Sequence, residues 1–392
     1  MKNAAALLLA TLALPVHAST WTWSEALTVN TTRSAAIFPH IESANRRPVA
    51  VSGKTVAVVW EDNRNGTPHC YLAMKTGASF APEILLSRAE CFEPAIVAVP
   101  GGRFVAAWEE GGRVHAQVLP GGKPVALSDK TSAQATLAVR GNAVYAAWAE
   151  QAGRHRRIVV AELAVAGKRA LRVTSANPVE AAEPADEQGW PALAVANDGT
   201  LVVAWEDRRH RHTVPMVSHS EDGRHFATPA RLSDHASGSV DGLGAGTGAM
   251  RPTLAASGEN GVVAAWLDKR DFLSGYDVYV AFDPGTRRFG ANLKAQDSFG
   301  DNMAQWHAQV VTDSSGRIVA LWDDARDGTP DVWLSEWAGD AFGDDFTLPA
   351  ASGPGEQSDP AAVFDDAGAL HLVWLERDEA GTRIRYARGT PR

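Results

Sequence analysis

The chain is short of several things, and each shortage closes a door. Its 392 residues include only two cysteines, five tyrosines and five methionines. Two cysteines cannot staple a multi-bridge scaffold, and they form no zinc site without further ligands at fitting spacing, which are absent. No apolar run approaches the ~20 residues a membrane-spanning helix needs. No segment repeats its apolar residues at the helical period. The Gly-x-Ser-x-Gly elbow is missing, which removes that route to a nucleophilic serine. The Gly-rich stretch around Gly244-Ala245-Gly246 precedes a strand pattern and not a helix, so it lacks the setting of a phosphate-cradling loop. Cations are outnumbered, 37 Lys and Arg against 46 Asp and Glu, a net charge of −9. Nucleic acid and anionic membrane are thereby excluded as main partners.

What the chain has is repetition. Trp-x-(Asp/Glu) occurs seven times, starting at Trp60, Trp108, Trp148, Trp205, Trp266, Trp322 and Trp374, each time after an apolar run such as "VAVVW" or "LVVAW". The spacings are 48, 40, 57, 61, 56 and 52 by subtraction of those positions. Four short strands with turns need about that length, the size of one propeller blade. "PALAVA", "LVVAWED", "VPMVSHS" and "FATPARLS" read as the four strands of one blade, separated by Asn-Asp-Gly and Glu-Asp-Gly turns. The order recurs, with fourth strands expected from Phe80, Phe226, Phe289 and Phe346. The last blade lacks its own fourth strand, and "TWTWSEALTVN" near the N-terminus matches one. The fold class is therefore all-β: a seven-bladed β-propeller of four-stranded antiparallel blades, its ring closed by the N-terminal strand. Closure also removes open sheet edges.

The first residues read as an export signal: Lys2, then "AAALLLATLAL", then Val16-His17-Ala18. Cleavage is expected after Ala18, giving a signal peptide over 1–18 and a single propeller domain over 19–392. A periplasmic or secreted protein follows, expected to be a monomer without a transmembrane segment. In that setting Cys70 and Cys91 are expected to form a disulfide. Topology agrees: Cys70 opens a third strand and Cys91 precedes a first strand, both on the face where second strands end, called the top below. The short loop they close is worth about 3 kcal/mol at best.

"WEDNRNGTPHCYLA" and "WDDARDGTPDVWLS" resemble repeats of sialidase-like β-propellers from exported bacterial proteins. "SEDGRHF", Ser220–Phe226, is similar to the Asp-box turn of that superfamily, one residue shorter, with echoes in "KTGASF", "DPGTRRF" and "EWAGDAF". The resemblance implies a propeller over nearly the whole chain and, for catalytic members, an exo-sialidase activity. Those members use three arginines for the substrate carboxylate, a Tyr–Glu nucleophile pair and an Asp acid. The nearest match to their first arginine motif is Arg46-Arg47-Pro48, without the aromatic and Ile; Tyr276 is the tyrosine placed at the top, and no Glu matches it by motif.

Ligands of propellers gather at the top, where first strands converge. The residues entering those strands are Arg47, Glu93, Gln134, Trp190, Arg251, Trp306 with His307, and Asp359. Arginine forks and ring faces suit an anionic or carbohydrate ligand. The longest repeats carry connections at Ser175–Gly189, Ser233–Ala249 and Asp297–Ala304, which point to a lid over Trp190, Arg251, Tyr276, Trp306 and His307. These five residues and Arg47 form the candidate ligand-binding set, for a glycan, peptide or protein partner. The repeated acids Asp62, Asp207, Asp268 and Asp324 are each followed two residues on by Arg and read as structural turn caps. Catalytic use of them would need one or two such groups, not one in every blade. His40, His307, Met250 and Met303 also lie at the top; a His/Met copper site needs a diagnostic spacing that is absent, so no metal or cofactor is expected. The expected function is a non-catalytic binding or scaffold module, with a sialidase-type glycoside hydrolase as the alternative.

Overall fold

The computed structural model describes residues 21–210, 212–234, 248–270 and 275–392. Seven antiparallel sheets stand in a ring, each first strand lying against those of its two neighbours. Blade 1 is built from Val49–Ser52, Thr55–Asp62, His69–Lys75 and Ile84–Leu85. Blade 7 takes its first three strands from Glu356–Phe364, Leu370–Asp378 and Gly381–Pro391. Its outer edge comes from the other end of the chain: Trp21 pairs with Pro391 and Leu27 with Tyr386.

Fourth strands are short except in blade 3, where Ala170–Pro178 pairs along His155–Ala166. From Phe80, Phe226 and Phe289 the chain makes one backbone bond to the third strand before the two-residue ladders at Ile84, Ala230 and Leu293. In blade 6 the fourth strand is reduced to a bridge between Leu334 and Phe346. Outside blades 3 and 7 the outer edge is thus thinly paired.

The stability lies between blades. The buried apolar residues fall into seven clusters, and each cluster joins two adjacent blades. One repeat tryptophan sits in each, fully buried and packed toward the preceding blade. A blade has no core of its own, which is why a closed ring is needed before any blade is fully buried. Cys70 and Cys91 form a disulfide across one of these interfaces, between blades 1 and 2, with Cα atoms 5.4 Å apart. Among the described residues no helix is long and apolar enough to cross a membrane.

Candidate functional site

Successive side chains of a strand point to opposite faces. In Trp-x-acid the first and third residues therefore share one face, and the middle residue takes the other. The third-position acids hold the blade together. Trp60 donates its indole N–H to Asp62 at 2.9 Å, and the same bond joins Trp205 to Asp207, Trp266 to Asp268 and Trp322 to Asp324. Each Asp also accepts the backbone N–H two residues on and pairs with that residue's guanidinium: Arg64, Arg209, Arg270 or Arg326. Three of these arginines lie flat on a third-strand ring, Arg64 on Tyr71, Arg270 on Tyr279 and Arg326 on Trp333, about 4 Å from each centroid. They also reach a second acid: Glu83, Glu180, Asp234 or Asp345. Burial beside Asp297 pushes the Asp345 carboxyl up to about 7, against the pull of Arg326.

The middle residues do something else. Glu61, Glu109, Glu206 and Asp323 reach forward to the next blade and accept the backbone N–H of Glu93, Gln134, Arg251 and Asp359. Those acceptors hold strained backbone. Glu93, Gln134, Trp190, Arg251, His307 and Asp359 all have φ between 47° and 58°. Each sits where the first strand slips its register against the second. The left-handed region costs a residue with a Cβ about 1–2 kcal/mol. Strand register, counted from the partner of the residue two before each Trp, sets Arg46 in the equivalent place of blade 1, with φ 47°. The sequence pointed to Arg47 there, because Arg47-Pro48 looks like Arg251-Pro252. One residue of each blade thus forms a crown at the top of the axis: Arg46, Glu93, Gln134, Trp190, Arg251, His307 and Asp359.

A plug fills the crown. Ser43–Arg47 crosses the axis and is tied to several blades at once. Asn45 accepts the N–H of Leu254 and donates to the carbonyl of Leu193. Arg46 donates through Nε to Pro360, and its own carbonyl accepts from Gln309. Repeat logic gave no sign of this segment, because it occurs once.

Around the plug the charges are matched. Arg251 stacks on Trp190, 3.4 Å from the ring centroid, and pairs with Glu206 at 2.9 Å and Glu42 at 3.2 Å. His307 contacts Asp323 through Nδ1 at 2.6 Å and faces Asp359 at 3.4 Å. Burial works against its proton, yet these carboxylates hold its titration above the ordinary histidine value. His40 lies between Glu42 and Glu61, which overcome burial and hold it up at about 10. Glu42, His307 and Asp359 each bring a ligand atom within 4.8 Å of the others. Arg46 and Arg251 already lie against those carboxylates, so the donor set favours guanidinium over a metal cation. The cavity among Glu42, Arg46, Trp190, Arg251 and His307 is only about 10 Å³, the room of a single water.

Two members of the crown sector are less settled. Glu93 is pushed up to about 8 by burial and then by Glu109, so it keeps its proton at neutral pH. Tyr276 packs on Trp306 with ring centroids 5.2 Å apart, and its hydroxyl is raised by burial and then by Glu206. Among the described residues that hydroxyl has no hydrogen-bonded carboxylate. Trp306 is 40% exposed, and Phe38, Phe92, Phe299 and Met303 are also exposed at the top.

Trp190, Arg251 and His307 thus stand together in the crown, with Tyr276 and Trp306 forming an aromatic shelf beside it. Arg47 is turned away, below the plug. Of the three long connections, 175–189 is pinned by Glu180 to Arg209 and by Glu187 to Arg156, and 297–304 by Asp297 to Arg326. The middle one, 233–249, lies for the most part outside the described residues.

No protein-family model matches the chain, and no curated protein matches it in sequence. Solved structures do match in shape. A protein of unknown function from Dyadobacter fermentans superposes with a TM-score of 0.60 at 11% identity, covering 96% of this chain and 100% of that one. A Trypanosoma rangeli sialidase in complex with 2,3-difluorosialic acid gives 0.50 at 13% identity over 95% of this chain; the match spans only 58% of the sialidase. A Penicillium chrysogenum α-L-arabinanase complexed with arabinobiose gives 0.51 at 14% identity, over 75% of this chain and 92% of the enzyme. At such identities the likeness is one of fold, and the fold is the sialidase-like β-propeller with seven blades.

Proposed function

We propose that the chain is an exported, non-catalytic binding module whose top face recognises a glycan. The observation that carries this reading is the commitment of the crown. Arg251 and most of the crown's acids are spent on one another and on the strained N–H groups, while Trp306 beside the crown stays 40% exposed. A sialidase needs three guanidinium groups converging on one carboxylate. Here Arg46 and Arg251 flank Glu42, and Arg47 is directed elsewhere. Trp306, Tyr276 and the Trp190–Arg251 stack offer what sugar rings use: flat apolar faces beside fixed polar groups. Propellers of this fold from Trypanosoma and Penicillium hold sugar ligands, which supports the ligand class. Export is supported by the disulfide and by the N-terminal pattern.

A glycan array probed with the labelled protein tests this. Binding to a defined glycan, weakened at least tenfold by Trp306→Ala in a folded protein, is expected. A blank array, or binding indifferent to both Trp306→Ala and Arg251→Ala, rejects it. One observation favours the second reading, a sialidase-type hydrolase: Glu93, protonated at neutral pH, has the state of a general acid. Release of a fluorogenic leaving group from a sialoside, lost in Glu93→Gln and Arg251→Ala, would establish it.

A further inference from the structure

Below the plug a channel of about 370 Å³ runs along the axis. Its wall is the inner edge of the first strands, with Val51, Val97, Val139, Val195, Val311 and Val363 among the lining residues. The Ser43–Arg47 segment shuts the top, and exposed Asp366 marks the opposite, bottom end. At the closed end lies the Arg47 side chain. Its guanidinium makes one hydrogen bond, from Nη2 to the Leu254 carbonyl at 3.3 Å, and its Nε is buried without a partner.

Among the described residues each other cation near the axis faces a carboxylate, though both Arg46 Nη atoms lack a hydrogen bond. Arg251 has Glu42 and Glu206, His307 has Asp323 and Asp359, and Arg46 has Asp359 at 4.0 Å. Among the described residues no carboxylate pairs with Arg47. Burial alone draws the guanidinium down to about 10, which leaves it fully charged at neutral pH. The residue is part-exposed, so water in the channel reaches the guanidinium, but no fixed counter-charge does. An ion from solution can take that place.

We infer that the closed end of the axial channel is a binding site for one small monovalent anion, a halide or a short carboxylate, held by Arg47. A single guanidinium matches a single negative charge, and the channel supplies no second cation for a divalent one. Among the lining residues the one acid, Asp366, stands at the opposite end, and the channel has ample room for the anion with its waters. Entry is from the bottom face, so this site is independent of any ligand on the crown.

Chloride-35 NMR linewidths of the full protein test the inference. Wild type should show saturable excess broadening that bromide displaces. Arg47→Met should abolish the saturable part, and Arg251→Met should retain it. Displacement by acetate as well would assign a site that also takes carboxylates; resistance to acetate would assign a halide site. No saturable broadening in wild type, or broadening unchanged in folded Arg47→Met, overturns the inference. If Arg47→Met does not fold, crystals of wild type grown in bromide decide. Anomalous scattering beside the Arg47 guanidinium supports the site, and none there removes it.

Discussion

Glu206 and Asp207 are neighbours on one strand, yet they live under opposite electrostatics. Asp207 is buried, which alone would raise its pKa, but Arg209, the Arg209 N–H and the Trp205 indole hold it below the ordinary value. Glu206 is buried as well, and there burial wins: Arg251 offsets it only in part and the carboxyl titrates high. Glu109 and Glu110 repeat the contrast in blade 2, the first raised and the second lowered. The alternation of a strand thus sorts two acids into two trades. One row is compensated and structural. The other faces the axis, where burial raises Glu109 and Glu206 against the hydrogen bonds they accept.

Removing one acid from each row should expose the difference. Asp207→Ala leaves the buried Trp205 indole N–H, Gln188 and the Arg209 N–H without this acceptor and Arg209 with Glu180 alone, and should cost about 3 kcal/mol in urea unfolding. Glu206→Ala leaves one backbone N–H without its acceptor and Arg251 with one carboxylate, and should cost about 1–2 kcal/mol. Equal losses would dissolve the contrast.

The third-position acids and the crown residue Glu93 should also slope in opposite directions with pH. Asp207 titrates below its unfolded value of 3.8, so its contribution is present above that pH and is lost as pH falls through the folded pKa. Glu93 titrates at about 8 against 4.5 unfolded, so the native state binds the extra proton and stability falls as pH rises between those values. Glu93→Gln, which mimics the protonated acid, should match wild type near pH 4.5 and gain on it steadily toward pH 8. Unfolding curves that stay parallel across that range would show that Glu93 is ordinary.

The smallest stability effect is expected at the shelf. Trp306→Ala should change unfolding by no more than about 1 kcal/mol, since the residue is 40% exposed and rests mainly on Tyr276. Its effect should appear in binding alone. A large loss of stability would return Trp306 to the scaffold row.

The blades were legible because their signals repeat. Seven buried tryptophans at blade spacing, turn residues between apolar runs and a missing last strand leave little freedom. The third-position acids were visible for the same reason. The middle-position acids share the same tripeptide but were passed over, since Glu61, Glu109, Glu206 and Asp323 alternate with Ala149, Leu267 and Leu375 and so form no constant pattern. Period-two alternation was the signal available. The plug was out of reach: Ser43–Arg47 has no counterpart in other blades, and only strand register distinguishes Arg46 from Arg47. Trp190, Arg251 and His307 could be placed together because each enters a first strand at the same offset from its tryptophan.

The closure of blade 7 has a consequence for the order of events during synthesis. Trp21 and Thr22 are made long before their partners Pro391 and Thr390. Until the C-terminal strand emerges, the N-terminal strand has nothing to pair with, and the interface between blades 7 and 1 does not exist. A contact spanning nearly the whole chain is slow to form. The growing polypeptide therefore stays an open, incomplete ring through almost all of translation. An unclosed chain is easily kept extended by a chaperone, so the same clasp that finishes the ring also postpones its folding.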